Sequence, residues 1–260
     1  MRILITGAAS GIGYNLGVEL VKRNHTVYFT THTEKELVTL KAKLLENKID
    51  ALSFKMDITT NDIKLVEKLK IDCLINNAAI GIGGSILHMN LDGLKLNYDV
   101  NIFSTINLIK KVYNNMVKDK INGKIIIISS LSYYIPLEFI GCYTSSKAAL
   151  STLVRTLKKE LKYEDNNINL SLVELCAYNT GFNDVMIDNK TKYLDKNSNI
   201  YKKINYINNK QKKMFKRIEK SSQKSIIKKL IKNIERNNSC FKIRDSLFYT
   251  ILSKMYLLFH

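Results

Sequence analysis

Tyr143 and Lys147 stand four residues apart in Tyr143-Thr144-Ser145-Ser146-Lys147, so on a helix both project from one face. A phenol is a poor base at neutral pH, with an unperturbed pKa of about 10, and a neighbouring ammonium favours its anionic form by Coulomb attraction. Such a pair suits proton exchange with a substrate oxygen, although at this spacing it is more often a solvated helix face. A second chemical feature opens the chain: Thr6-Gly7-Ala8-Ala9-Ser10-Gly11-Ile12-Gly13. Glycines at a strand-to-helix turn let backbone N–H groups and the positive end of a helix approach a pyrophosphate, which side chains would block. Gly7 and Gly11 are expected to shape that turn, and Gly13 to let the helix pack close to the strand. The four cysteines, Cys73, Cys142, Cys176 and Cys240, form no C-x-x-C pair, and neither a metal site nor a disulfide framework is expected.

These groups need a scaffold, and the chain supplies one in alternating strand and helix patterns. Strands are predicted at Ile3 to Thr6, Thr26 to Thr31, Ala51 to Lys55, Asp72 to Asn76, Lys124 to Ser129 and Ile168 to Glu174. Helical spacing fills the gaps, as in Ile12, Leu16, Leu20 and Val21, or Leu150, Leu153, Leu157 and Leu161. Right-handed crossovers between such strands give a doubly wound parallel sheet of Rossmann type with helices on both faces. With 260 residues the expectation is a single domain over residues 1–260. After Glu174 the pattern dissolves into a polar stretch, Asn183 to Asn209, a poor place to find core. Residues 177–220 are read as a flexible segment covering the substrate, with an exposed surface excursion an equal alternative, and 221–260 as a basic helical segment.

From Met1 to roughly Phe182 the chain resembles the short single-domain branch of the short-chain dehydrogenase/reductase family. The resemblance rests on the G-x-x-x-G-x-G spacing of Gly7, Gly11 and Gly13, on Asp57 in Met56-Asp57-Ile58-Thr59, and on Asn76-Asn77-Ala78-Ala79. The last is similar to the family's Asn-Asn-Ala-Gly, with Ala79 in place of the glycine. It rests also on Ser130, thirteen residues before Tyr143. It implies an NAD(P)-dependent oxidoreductase in which Tyr143 is the general acid/base and Lys147 lowers its pKa and holds the nicotinamide ribose. Ser130 then binds the substrate oxygen, with Ser129 and Ser132 as weaker candidates, and Asn101 supports a lysine-bound water. Cofactor contacts are implied for Thr6, Gly7, Ser10, Gly11, Ile12, Gly13, Thr31, His32, Asp57, Ile58, Asn77, Ala78, Tyr143, Lys147 and Thr180. Two departures stand out: Ser104 where glycine is common, and Leu175-Cys176 in place of Pro-Gly in the nicotinamide wall. Cys176 is expected either as a small buried filler or as a thiol beside the nicotinamide. Extended-branch sugar-nucleotide epimerases share Tyr-x-x-x-Lys but have longer chains and a differently spaced glycine turn.

Within that resemblance NADP(H) is favoured over NAD(H). NAD-selective members carry an acid near the position of Thr31, and Thr31 removes its repulsion of a 2′-phosphate. His32 then holds the place of a common arginine, so the preference is expected to be moderate and to grow as pH falls and His32 gains a proton. Lys35 is a further candidate for that phosphate. The partners implied are a small carbonyl or alcohol substrate and a symmetry mate, in a homodimer or homotetramer.

The net charge of +18 is uneven: residues 181–260 hold 19 Lys and Arg against 6 Asp and Glu, or +13. Lys, Asn and Ile share A/T-rich codons, so coding bias accounts for much of it. The basic residues are not interleaved with stacking aromatics, and no nucleic-acid partner is expected. Nor is a membrane span, since Leu247 to Phe259 is interrupted by Thr250, Ser253 and Lys254. With a strand beginning almost at Met1, a cytoplasmic protein is expected. Two other readings compete: a catalytically silent cofactor-sensing regulator, and a basic C-terminal module binding nucleic acid or a membrane surface.

Overall fold

The computed structural model describes residues 1–259, with side chains through Tyr256. Lys124-Ile-Ile-Ile-Ile-Ser-Ser130 shows how the fold arises: a run of β-branched residues buried on both faces can only be an inner strand of a parallel sheet. That strand, β5, lies beside β4 (Cys73–Asn76) and β6 (Asn169–Leu175). With β1 (Arg2–Ile5), β2 (Thr26–Thr31), β3 (Leu52–Lys55) and β7 (Lys242–Arg244) it forms a seven-stranded parallel sheet in the order β3-β2-β1-β4-β5-β6-β7. The alternation of strand side chains divides the core. Ile3, Ile5, Phe29, Ile126 and Val173 face one way, onto Leu16 and Leu20 of α1 (Gly11–Val21). Leu4, Leu74, Ile125 and Ile127 face the other, onto Leu108 and Val112 of α4 (Thr105–Lys118) and Leu150 and Val154 of α5 (Gly141–Glu160). Leu153, expected on that buried stripe, is turned outward, and Val154 takes its place.

The remaining helices are α2 (Glu34–Glu46), α3 (Leu91–Tyr98), α6 (Phe182–Asp188), α7 (Lys190–Tyr193), α8 (Asn199–Lys202), α9 (Ile204–Ile218), α10 (Lys224–Glu235) and α11 (Leu247–Phe259). Two expectations are corrected here. The region after Glu174 does contribute core: Ile226, Ile227, Leu230, Ile231 and Ile234 of α10 pack into the cluster around Ile3 and Val173. Residues 221–260 are not wholly helical either, because β7 extends the sheet beside β6, with Ile243 its only buried residue. One buried residue in three has no period to detect. The polar stretch from Asn183 forms short helices, and Met186 and Ile187 join Phe215 in a small cluster against Ile140 and Tyr143.

Candidate active site

The carboxyl ends of β1, β4 and β5 meet where the sheet order reverses, the crevice in which open α/β sheets hold ligands. There the glycine turn is built from its neighbours. Thr6 is buried, and its Oγ1 accepts from the backbone N–H groups of Asn77 (3.0 Å) and Ala78 (2.9 Å). Asn77 Nδ2 returns bonds to the carbonyls of Thr6 and Gly7, both at 3.0 Å. Thr6 and Asn77 thus clamp β1 to β4, and Thr6 shapes the turn from behind. Gly7 has φ +61° and passes so close to Ala78 that a Cβ would lie 2.9 Å from its Cα. Gly13 faces the Asn77 amide, where a Cβ would lie 2.7 Å from Nδ2. The same Cβ would lie 3.0 Å from the Gly7 carbonyl oxygen, so α1 approaches the end of β1 closely there, and a second close approach is at Gly17, whose missing Cβ leaves room for the Phe29 ring. Ser10 caps α1 with no side-chain bond to its first N–H groups, so the turn fits a pyrophosphate. Ser10, Gly11 and Ile12 line a cavity of about 760 Å³, with Asp57, Ile58, Asn77, Ala78 and Thr180.

At the cavity's far end His32 Nε2 lies 3.2 Å from Asp57 Oδ2. Thr31 is buried and does not line the cavity, and its hydroxyl donates to the carbonyl of Thr33 at 3.1 Å. Lys35 is exposed. Glu36 was not anticipated. Its carboxylate accepts from the backbone N–H of His32 (2.9 Å) and Thr33 (3.2 Å), closing a capping box on α2 and lining the cavity. The Thr33-x-x-Glu36 spacing is a sequence signal for that box.

Three further side chains converge from two elements. Ser130 ends β5, while Tyr143 and Lys147 share one face of α5, and all three line the cavity. The Tyr143 ring packs against Phe182, with centroids 5.4 Å apart, and Lys147 Nζ sits 5.9 Å from the Tyr143 ring centre. Lys147 Nζ donates to the carbonyl of Ile128 at 3.2 Å. Burial pushes the Tyr143 phenol up to about 12, with a hydrogen bond to Ser130 acting the other way. Burial also brings Lys147 down to about 8. Both shifts favour neutral forms, unlike the expected phenolate–ammonium pair, because the protein desolvates the two groups together.

Asn101 lies on a π-helical turn, Asp99–Ser104, between α3 and α4. Its Oδ1 accepts from Ile80 N at 2.9 Å, and its Nδ2 donates to Ile80 O at 2.9 Å and Ser146 Oγ at 3.0 Å. Asn97, four residues earlier and unanticipated, repeats the pattern: it accepts from Ile82 N at 3.2 Å and donates to Cys142 O and Ser146 Oγ, both at 3.0 Å. Ser146 in turn donates to the carbonyl of Tyr143 at 2.7 Å. The two asparagines therefore fasten the start of α5 to the loop after β4. Ser129 is spent on Ser151 at 2.7 Å, and the Ser132 hydroxyl is buried with no hydrogen-bond partner among the described residues.

The sequence matches the short chain dehydrogenase family over residues 1–190. The chain belongs to that family. Among relatives of this chain, a 3-ketodihydrosphingosine reductase of Bacteroides thetaiotaomicron is 31% identical over 182 residues, covering 70% of this chain and 65% of the relative. This chain thus spans about two thirds of that protein's length. An L-xylulose reductase of Caenorhabditis elegans is 29% identical, covering 75% of this chain and 80% of the relative. Fold similarity runs further: a Burkholderia phymatum short chain dehydrogenase/reductase in complex with NAD superposes with a TM-score of 0.81 at 17% identity, covering 97% of this chain and 91% of the other.

The Leu175-Cys176 segment of this chain, which stands in the place of Pro-Gly, is anchored from an unexpected direction. Cys176 N donates to Asp245 Oδ2 at 2.9 Å, and Asp245 Oδ1 also takes Tyr178 Oη (2.8 Å) and Lys220 Nζ (3.0 Å). Proline at 175 with glycine at 176 would also present that N–H, so the substitution leaves the anchor intact. Cys176 is half-buried and lines the cavity, and burial with Asp245 beside it pushes its thiol up to about 12. Alkylation of Cys176 is therefore expected to be slow and to become slower still with NAD(P)H. Mass spectrometry of labelled peptides checks both points; rapid labelling that NAD(P)H leaves unchanged rules out a cofactor-adjacent thiol.

Proposed function

We propose that this short-chain dehydrogenase interconverts an apolar carbonyl compound and its alcohol, with Tyr143 as the general acid/base. The observation that carries the reading is the convergence of Ser130, Tyr143 and Lys147 at one cavity with an apolar patch beside them. Ile135, Leu137, Ile140, Phe182, Met186 and Phe215 supply that patch, among polar lining residues such as Ser132, Asn183 and Asn189, and it favours an apolar group on the substrate. A nicotinamide, when bound, supplies or accepts the hydride. Ser130 holds the substrate oxygen, Tyr143 Oη gives or takes its proton, and Lys147 supports the ribose side. Asn97 and Asn101 keep α5 in register with the loop after β4. Residues 177–220, which contribute Phe182, Met186 and Phe215 to the patch, act as the flexible substrate cover. A panel of ketones, aldehydes and alcohols followed by nicotinamide absorbance with both cofactors tests this reading. No turnover with any of them would favour a silent cofactor sensor.

NADP(H) is the preferred cofactor in this reading, supported by neutral Thr31 and by His32 at the adenosine end. Two carboxylates temper the preference, Asp57 beside His32 and Glu36 on the N–H groups of His32 and Thr33. Glu36 is exposed, so solvent screens its repulsion of a 2′-phosphate to a several-fold effect. Glu36→Gln is thus expected to raise kcat/KM for NADPH several-fold and to leave NADH nearly unchanged. A higher kcat/KM with NADH than with NADPH would overturn the assignment. The protein also acts as a homodimer or homotetramer, supported by exposed Phe103 and Leu153 on the helical stretches that carry Asn101 and Tyr143.

A further inference from the structure

Helix α11 is built inside out. Its polar residues Thr250 and Ser253 point inward, 4% and 3% exposed, and donate to the carbonyls of Ser246 (2.7 Å) and Tyr249 (2.6 Å). Leu247, Phe248, Ile251, Leu252 and Met255 recur at i, i+1, i+4, i+5 and i+8, which is one helix face, and each is 48 to 69% exposed. A surface helix in water normally buries its apolar stripe and exposes its polar one, so this face is turned toward something other than water. The same helix borders the active-site cavity, to which it contributes Tyr249, Leu252 and Ser253, next to exposed Ile218 at the end of α9.

The surroundings are basic. Exposed Arg244 precedes the helix, and Lys229 caps the loop there by donating to the carbonyls of Arg244 (2.9 Å) and Asp245 (2.7 Å). Exposed Lys254 lies within the helix, and exposed Lys216 and Arg217 precede Ile218. They belong to the C-terminal third that carries 19 Lys and Arg against 6 Asp and Glu. We propose that α11 is an interfacial helix that seats the protein on an anionic lipid surface, with the mouth of the catalytic cavity turned to that surface. A lipid interface offers both things this face lacks, an apolar layer for the stripe and negative headgroups for the cations. A two-fold contact with a second copy would bring the same cations together and leave them unneutralised. No helix among the described residues is long and apolar enough to cross a membrane, so the contact lies in the plane of the interface. The seating does not depend on the reaction proposed above. If both hold, a lipid-soluble carbonyl enters the cavity directly from the lipid.

The test is flotation of the full chain with vesicles of phosphatidylcholine alone and of phosphatidylcholine with phosphatidylserine. Binding is expected with the anionic vesicles and is expected to weaken with salt. The double variant F248S/I251S removes two outward side chains that do not line the cavity, and should lower partitioning at least about tenfold without changing the unfolding temperature. R244E/K254E should abolish the preference for phosphatidylserine and leave the stripe intact. Failure of the wild type to bind, or equal binding by F248S/I251S, would overturn the proposal. Sedimentation of both proteins without lipid covers the remaining case: an oligomer that F248S/I251S splits into smaller species, with no vesicle binding, would assign the face to a second copy.

Discussion

Tyr143→Phe is expected to lower kcat by about 100- to 10,000-fold, the usual contribution of a positioned acid or base, while cofactor affinity survives. The substitution removes one oxygen and keeps the ring, so packing against Phe182, Ile140 and Phe215 is retained. Lys147 keeps its bond to the Ile128 carbonyl, leaving the ribose side intact. Direction matters as well. A phenol pushed up to about 12 holds its proton at neutral pH, which suits it to donate to the oxygen of a carbonyl being reduced. Alcohol oxidation needs the phenolate, so its rate should climb with pH more steeply than reduction does, until Tyr143→Phe removes the dependence. Stopped-flow and steady-state assays in both directions, with cofactor titrations by fluorescence, measure these effects. Near-normal turnover by the variant, on a substrate the parent reduces, would remove Tyr143 from the acid/base role.

Glu174→Ala should cost about 3 kcal/mol of stability, the low end for breaking a buried ion pair by removing one partner. Glu174 is almost wholly buried, with Arg155 on Oε1 at 2.5 Å and Lys242 on Oε2 at 2.5 Å. Tyr133 also donates to it. The low end applies because Arg155 and Lys242 are partly exposed and regain water when Glu174 is gone. Burial alone would raise the Glu174 pKa, but Lys242, Tyr133 and Arg155 outweigh it and hold the carboxyl below the ordinary range. A carboxylate depressed in the folded state stabilises above its unfolded value, and that contribution fades as pH falls through the folded one. Asp245 is depressed in the same sense against burial, by Cys176 N, Tyr178 and Lys220. The wild type should therefore lose stability steeply in acid, and Glu174→Ala should lose less over the same range because part of that stability is already absent. At neutral pH a drop in Tm of roughly 10 °C is expected by calorimetry. A change of less than about 2 °C would mean that the pair roughly cancels its own desolvation. Glu174 faces Ser129 across β5 and β6, and Tyr133 follows Ser130, so the variant should also loosen the turn that presents Ser130.

The placement of the candidate site residues was legible in the sequence wherever it is local. The glycine turn needs its residues within one loop, and Tyr143 and Lys147 share a face because a helix repeats every 3.6 residues. Buried parallel strands such as β5 announce themselves as continuous apolar runs. The tertiary structure decided everything that depends on partners distant in sequence. Asn101 finds Ile80 and Ser146, Asn97 finds Ile82 and Cys142, and Asp245 anchors Cys176 from 69 residues away. Buried polar groups must be paired, but their residue types do not say with what. β7, with one buried residue, exists because β6 offers an edge to it, and α10 is core because β6 and β7 leave a face to cover. Thr250 and Ser253 break the apolar run of α11 when read as a line; packing turns them inward and leaves the apolar stripe outside. Composition sets how apolar a helix is, and only its neighbours set which side of it meets water.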